Sequence, residues 1–212
     1  TRNRLASFTT SDGALTSFDP NASSIVRTLA LDSNNTTLYV GGEFTTIGGQ
    51  TRNRLASFTT GDGTLTSFNP NASSTVYSLA LSSYNTTLCV GGGFTTIGGQ
   101  SRNRLASFTT GDGALTSFNP NANNIVYNLT LSSDNTTLYV GGEFTTISGQ
   151  ERSSLAAFYD PSPANPSNLS ITSSTEISLS LSWQDNSSNE DNFVIERSTD
   201  GISYANPVSL AS

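Results

Sequence analysis

Glu43 and Glu143 are the residues best placed to do chemistry in this 212-residue chain. They occupy equivalent positions of a repeated sequence, and paired carboxylates can hydrolyse glycosidic bonds. Gly93 stands at the equivalent position between them, and loss in one copy argues that the position tolerates change. Asp12, Asp62 and Asp112 each precede a glycine and offer oxygen to calcium. A calcium loop needs several oxygen ligands at close spacing, and here each turn supplies one carboxylate, so hairpin turns are expected instead. Arg2, Arg52 and Arg102, with Arg4, Arg54 and Arg104, recur in every copy. They offer a carboxylate-binding ring; pairing with nearby Asp or backbone carbonyls is the expectation. Cys89 replaces the tyrosine found at Tyr39 and Tyr139. A thiol buried in a strand is inert, so it reads as a core variant and not as a nucleophile.

An enzyme built on near-identical units must break their symmetry, because a reaction needs unlike groups in unlike roles. The departures are Arg27 for Tyr77 and Tyr127, Tyr84 for Asn34 and Asp134, Gly93 and Cys89. None of them joins a nucleophile to a base. No catalytic residue, metal ligand or cofactor is therefore expected.

Composition narrows the choice further. The nine cations are all Arg, against sixteen Asp and Glu, which gives a net charge of −7. Without His there is no His-based triad and no His-ligated metal; without Lys there is no Schiff base, no P-loop and no Lys–Asn isopeptide cross-link. An acidic chain is a poor binder of polyanions, so nucleic acid is disfavoured. No apolar run approaches a membrane-spanning length, so direct membrane insertion is not expected. A single cysteine forms no internal disulfide. Thr1-Arg2-Asn3-Arg4 begins in mid-pattern and no Met occurs, so the chain reads as a mature product or an excised piece. Asn-x-Ser/Thr triplets start at Asn21, Asn34, Asn35, Asn71, Asn85, Asn128, Asn135, Asn168 and Asn186; a chain this rich in Asn, Ser and Thr produces them by chance.

The elements that would position these residues follow from a fifty-residue period. Residues 1–50, 51–100 and 101–150 align without gaps and match at about 40 of 50 positions between neighbours. A fourth copy begins at Arg152 and stops at Phe158. Each period holds four β-type runs, 25–31, 37–44, 53–59 and 64–68 in the first full unit. Asn-rich and Asp-Gly turns join them, because those residues tolerate positive φ. Pro70 cannot continue a central strand. Side chains alternate along a strand, so Leu55 and Phe58 face opposite ways. A small four-stranded sheet that is apolar on both sides must lie between neighbours, as a propeller blade does. Phe8, Phe58, Phe108 and Phe158, Phe18, Phe68 and Phe118, and Phe44, Phe94 and Phe144 recur in phase and are expected to be buried.

Val40-Gly41-Gly42-Glu43-Phe44-Thr45-Thr46-Ile47-Gly48-Gly49, Arg54-Leu55-Ala56, Gly61-Asp62-Gly63 and Phe68-Asn69-Pro70-Asn71 fall in this order. Over residues 1–158 the chain resembles the delta-60 type β-propeller repeat. This is a kelch-like blade found on bacterial surface proteins and in a fungal cortical polarity marker. The resemblance implies a fold and carries no shared chemistry.

After Tyr159 the composition changes. Residues 159–167 read as a Pro-rich linker. Residues 168–212 then show alternating runs at 168–173, 176–183 and 192–198, with Leu179, Leu181 and Trp183 on one face and Phe193 and Ile195 on another. Residues 163–212 resemble the front half of a fibronectin type III domain, with Trp183 on the second strand. The later strands of that module are absent, and no Arg-Gly-Asp triplet occurs.

The expected fold is all-β, with three near-identical 50-residue, four-stranded propeller-type blades and a partial, fibronectin III-like β-sandwich. The expected function is that of a non-catalytic extracellular or cell-surface repeat protein in adhesion, scaffolding or self-assembly. A carbohydrate- or peptide-binding propeller is one alternative, and an accessory region of a secreted polysaccharide-active enzyme is another. Three copies give at most about three and a half blades, whereas closed propellers use about four to eight. Self-association through blade faces or strand addition is therefore expected, with a surface glycan or protein as a possible ligand.

Overall fold

A computed structural model describes residues 2–82, 86–133, 135–159, 167–175, 179–184, 192–198 and 204–211. The chain divides into two compact units, Thr1–Asp160 and Pro161–Ser212. Every described element is a strand, a single bridge or a turn.

The first unit repeats one pattern three times. Strands β1 (Val26–Leu31), β2 (Thr37–Gly42), β3 (Thr46–Ile47), β4 (Gln50–Thr51) and β5 (Leu55–Thr59) are followed by β6 (Val76–Leu81), β7 (Thr87–Gly92), β8 (Thr96–Ile97), β9 (Gln100–Ser101) and β10 (Leu105–Thr109). The third set is β11 (Val126–Leu131), β12 (Thr137–Gly142), β13 (Thr146–Ile147), β14 (Gln150–Glu151) and β15 (Leu155–Tyr159). Blade 1 is the antiparallel sheet β1-β2-β5, blade 2 is β6-β7-β10 and blade 3 is β11-β12-β15. Each blade thus takes two strands from one copy of the repeat and the next strand from the following copy.

The fourth run of each period is shorter than expected. It joins the sheet through one bridge, Phe58 to Leu65 in blade 1 and Phe108 to Leu115 in blade 2. Thr66 N–H donates to Ser57 O at 2.9 Å, the two hydroxyls meet at 2.6 Å, and Thr66 Oγ1 then accepts from Phe68 N at 3.2 Å. A side-chain turn of that kind competes with ladder pairing and leads the chain off towards Pro70. The run 37–44 also ends early, at Gly42. Arg54 sits at φ 65° and turns the next strand inward, while its N–H donates to Phe44 O at 2.8 Å. The Gly48-Gly49 connection is a two-residue hairpin turn between β3 and β4, with φ of 60° and 74°. Those angles are what a primed turn demands.

Blades pack face to face. Leu55, Val76, Leu79, Leu88, Val90 and Phe94 belong to one core between blades 1 and 2. Leu105, Val126, Leu129, Leu138, Val140 and Phe144 repeat it between blades 2 and 3. Each fully buried Leu, Val or Phe contributes about 1.5–3 kcal/mol. Phe68 stands edge-on to Tyr39 at 5.7 Å and to Phe108 at 5.6 Å, which locks the linker between blades into the same core. Gly41 and Gly91 are seats for a side chain of the next blade. A Cβ on Gly41 would lie 2.6 Å from Val76 Cγ1, and one on Gly91 2.7 Å from Val126 Cγ1. A hydrogen bond seals each seam: Leu79 N–H donates to Thr28 Oγ1 at 3.2 Å and Leu129 N–H to Ser78 Oγ at 3.0 Å.

The recurring Phe are not all buried. Phe44, Phe58, Phe94, Phe108 and Phe144 are, and Phe18, Phe68, Phe118 and Phe158 are partly so. Phe8 is exposed, because no inner strand lies beside residues 5–9.

Among the described residues the second unit shows two antiparallel strand pairs. β16 (Ser167–Ser174) pairs with β17 (Leu179–Gln184), and β18 (Asn192–Ser198) pairs with β19 (Tyr204–Ala211). β19 lies beyond the three alternating runs at 168–173, 176–183 and 192–198. Trp183 is half-buried and Leu181 likewise, whereas Leu169 and Ile171 are exposed. The linker at 160–166, and the side chains of Leu179, Phe193 and Ile195, lie outside the described residues.

Candidate functional site

The first strands of the blades, β1, β6 and β11, lie side by side. A fixed fifty-residue spacing therefore brings positions 27, 77 and 127 together, with 43, 93 and 143 beside them. Arg27 donates from Nε and Nη2 to Glu43 Oε1 at 3.0 and 2.5 Å, which raises its own pKa. The Arg27 guanidinium also lies 5.9 Å from the centre of the Tyr77 ring. Tyr77 and Tyr127 meet edge to face at 5.1 Å. Tyr127 Oη donates to Glu143 Oε1 at 3.0 Å, and this bond, aided by desolvation, raises the phenol above its ordinary range.

The row thus reads Glu43, Arg27, Tyr77, Tyr127, Glu143 across three blades. Gly93 leaves a gap in the middle: a Cβ there would have nothing nearer than Ser74 Oγ at 3.4 Å. The two carboxylates sit on blades 1 and 3, each held by its own partner, with blade 2 between them. That is an array of donors, acceptors and aromatic edges, suited to hydrogen-bonding and stacking. The departures Arg27 and Gly93 were visible in the sequence; their meeting with Glu43 and Glu143 was not. The available signal was their common phase, with Arg opposite Glu in the first copy and Tyr opposite Glu in the third.

The other candidates are structural in placement. Asp12, Asp62 and Asp112 accept hydrogen bonds from the hydroxyls of Thr9, Thr59 and Thr109, and from the N–H of residues 14, 64 and 114 at 3.0 Å. The Thr59 hydroxyl foremost, then Thr64, hold the Asp62 carboxyl down at about 2. Among the described residues no group of three His, Cys, Asp or Glu is gathered to hold a metal ion.

The arginines bind backbone. Arg52 and Arg102 donate to Thr66 O and Thr116 O, both at 2.9 Å. Arg4, Arg54 and Arg104 reach the carbonyls of Ala22, Ala72 and Ala122. Arg2 alone of its series pairs with a carboxylate, Asp19, at 3.1 Å, because Asn replaces that Asp in later copies. Cys89 is buried, and burial pushes its thiol up to about 12. Asn21 and Asn71 sit at positive φ and accept from Asn3 and Asn53. Tyr84, Asn85, Asp134 and Asn186 lie outside the described residues.

No curated protein matched the sequence. Two solved structures resemble the fold in part. One is a crystal structure of RRP9 WD40 repeats, at 13% identity and TM-score 0.43, covering 57% of this chain and 34% of that one. The other, the structure of U3-55K, is at 12% identity and TM-score 0.44, covering 63% and 39%. The chain spans about a third to two-fifths of those proteins. A family profile described as the Rax2 C-terminal beta propeller domain matches residues 5–192. The stacked blades and this match over most of the sequence place the chain in the Rax2 C-terminal beta propeller family.

Proposed function

We propose that this repeat scaffold is non-catalytic and works outside the cell or on its surface, in adhesion, scaffolding or self-assembly. The observation that carries the proposal is the in-phase repetition of its polar groups. Asp12, Asp62 and Asp112 close turns, and the arginines hold carbonyls in every copy. Some of what varies from copy to copy, Arg27 and Glu143 among it, lies on exposed positions, as expected of a surface that binds. Blades of the kelch-like type supply the surface, and the second unit serves as a fibronectin type III-like spacer.

The test is to incubate the purified chain with cell-wall polysaccharides and with intact cells. The expected result is saturable association, with itself or with the surface, and no release of reducing ends. Release that disappears in Glu43→Gln or Glu143→Gln would overturn the proposal in favour of a glycosidase.

A carbohydrate or peptide ligand is the second reading, favoured by the Tyr77–Tyr127 pair flanked by Arg27 and two carboxylates. Loss of glycan-array binding in Tyr77→Ala would support it; an array with no signal would remove it.

A further inference from the structure

Gly93 is a glycine that neither backbone nor packing requires. It does not sit in the left-handed region. Its N–H donates to Thr75 O at 2.9 Å, as Glu43 N–H donates to Ile25 O at 2.8 Å and Glu143 N–H to Ile125 O at 2.9 Å. The backbone is thus the same in all three blades. A Cβ at Gly93 would lie 3.4 Å from Ser74 Oγ, 3.9 Å from Tyr77 Cε2 and 4.0 Å from Ile125 Cγ1, which are ordinary contacts. Its neighbour Gly92 differs, since a Cβ there would lie 2.3 Å from Thr75 O. The consequence of glycine at 93 is therefore the room it leaves.

That room is walled by polar groups whose equivalents are engaged. In blade 1 Arg27 donates to Glu43, and in blade 3 Tyr127 Oη donates to Glu143, each pair sixteen residues apart. Tyr77 is the equivalent of Tyr127, but Gly93 gives its phenol no carboxylate. Among the described residues neither Tyr77 Oη nor Ser74 Oγ has a hydrogen-bond partner, and both residues are half-buried. Glu43 and Glu143 are engaged through Oε1, and a carboxylate has a second acceptor oxygen. Arg27 spends Nε and Nη2 on Glu43, and a guanidinium has five donors. Blades 1 and 3 stand on either side, so the room is bounded within three consecutive blades.

Charge narrows what fits. Two carboxylates stand against one guanidinium, on a chain of net charge −7, which repels an anion. An ammonium group has donors alone and would face the Arg27 guanidinium. A hydroxyl both donates and accepts, which suits a row in which Tyr77, Ser74 and Arg27 offer hydrogens and the two glutamates receive them. Ile125 and the tyrosine edges add an apolar wall for C–H groups.

We propose that the room left by Gly93 seats an uncharged pyranose unit of a glycan. One sugar hydroxyl takes the place of the missing carboxylate on Tyr77 Oη, and its neighbours bond Ser74 and the flanking Arg27 and Glu143. The inference rests on the carbohydrate half of the second reading above, and names the chemistry of the ligand and the blade that holds it.

The test begins with a glycan array carrying neutral, uronate-bearing and amino-sugar oligosaccharides, read with the full chain. The strongest neutral glycan is then titrated by calorimetry. Neutral glycans are expected to bind ahead of the other two classes. Gly93→Gln fills the room without adding charge and gives Tyr77 the acceptor that Tyr127 has. It should weaken binding about tenfold or more, with the melting temperature unchanged or raised. Gly93→Glu should do the same. Tyr77→Phe removes one hydroxyl and should weaken binding about three- to tenfold. Loss in Gly93→Glu with binding kept in Gly93→Gln would mean that a charged ligand is being repelled, and overturns the neutral class. An array led by uronates or amino sugars overturns it as well. Glycan binding that ignores both Gly93→Gln and Tyr77→Phe overturns the seat and leaves the second reading standing, whereas an array with no signal removes that reading and the seat with it.

Discussion

Blade 2 and blade 3 have nearly the same sequence and different surroundings. Leu105 on blade 2 is fully buried, and its equivalent Leu155 on blade 3 is 66% exposed. Tyr39, which faces blade 2, is 6% exposed, while Tyr139 at the open end is 48% exposed. The side chains are the same, so burial here is a property of the neighbour. In repeat proteins stability resides both in the unit and in the seam between units. Three blades of this chain lend each other their faces across two seams, and at the far end of blade 3 the equivalent residues Tyr139 and Leu155 are exposed among the described residues.

That contrast can be broken most sharply at the paired leucines. Leu105→Ala is expected to cost about 2–5 kcal/mol, whereas Leu155→Ala should stay within about 0.5 kcal/mol. Urea unfolding of the two variants measures both, and equal losses would mean that blade 3 is covered. The next largest effect lies at the glycine seats. Gly91→Ala drives a methyl against Val126 and is expected to cost about 1–3 kcal/mol, from overpacking in a closed seam.

The seam hydrogen bonds sharpen the same comparison at smaller scale. Ser78→Ala removes the acceptor of the Leu129 N–H and should cost about 1 kcal/mol, while Asn128→Ala at the open end should be close to neutral. Thermal melts of the two variants at low protein concentration decide it.

The smallest effect concerns the turns, which are alike in the middle and at the end. Asp62 has a folded-state pKa of about 2, below its ordinary 3.8. A depressed carboxyl stabilises the fold above its unfolded pKa and loses that contribution as pH falls through the folded one. The melting temperature should therefore drop between about pH 4 and pH 2, and Asp62→Asn should blunt the drop and cost little at neutral pH, since Asn-Gly makes the same turn. Chelator should leave the melting temperature unchanged, as no cluster of ligands converges on these turns among the described residues.

Much of the architecture was legible because it is written three times. The period, the turn at Asp62-Gly63 and the double-faced strand at Leu55–Thr59 follow from residue type and alternation. The outer strand was overread, because a run of apolar alternation at 64–68 says nothing of Thr66 capturing the Phe68 N–H. Phe8 was misplaced in the core for a related reason. Its sequence is that of Phe58 and Phe108, and only the missing inner strand distinguishes it. The candidate site was half legible. Arg27 and Gly93 stood out as departures, but their convergence depends on β1, β6 and β11 lying edge by edge, which composition does not encode.

Hydroxyl-radical footprinting across a dilution series, read by mass spectrometry at Tyr39 and Tyr139, tests the central claim most directly. Sealed inner seams and open ends predict that Tyr39 stays protected at every concentration, while Tyr139 is oxidised in the dilute chain and becomes protected as copies associate. Equal oxidation of Tyr39 and Tyr139 in the dilute chain would contradict the stacked-blade account.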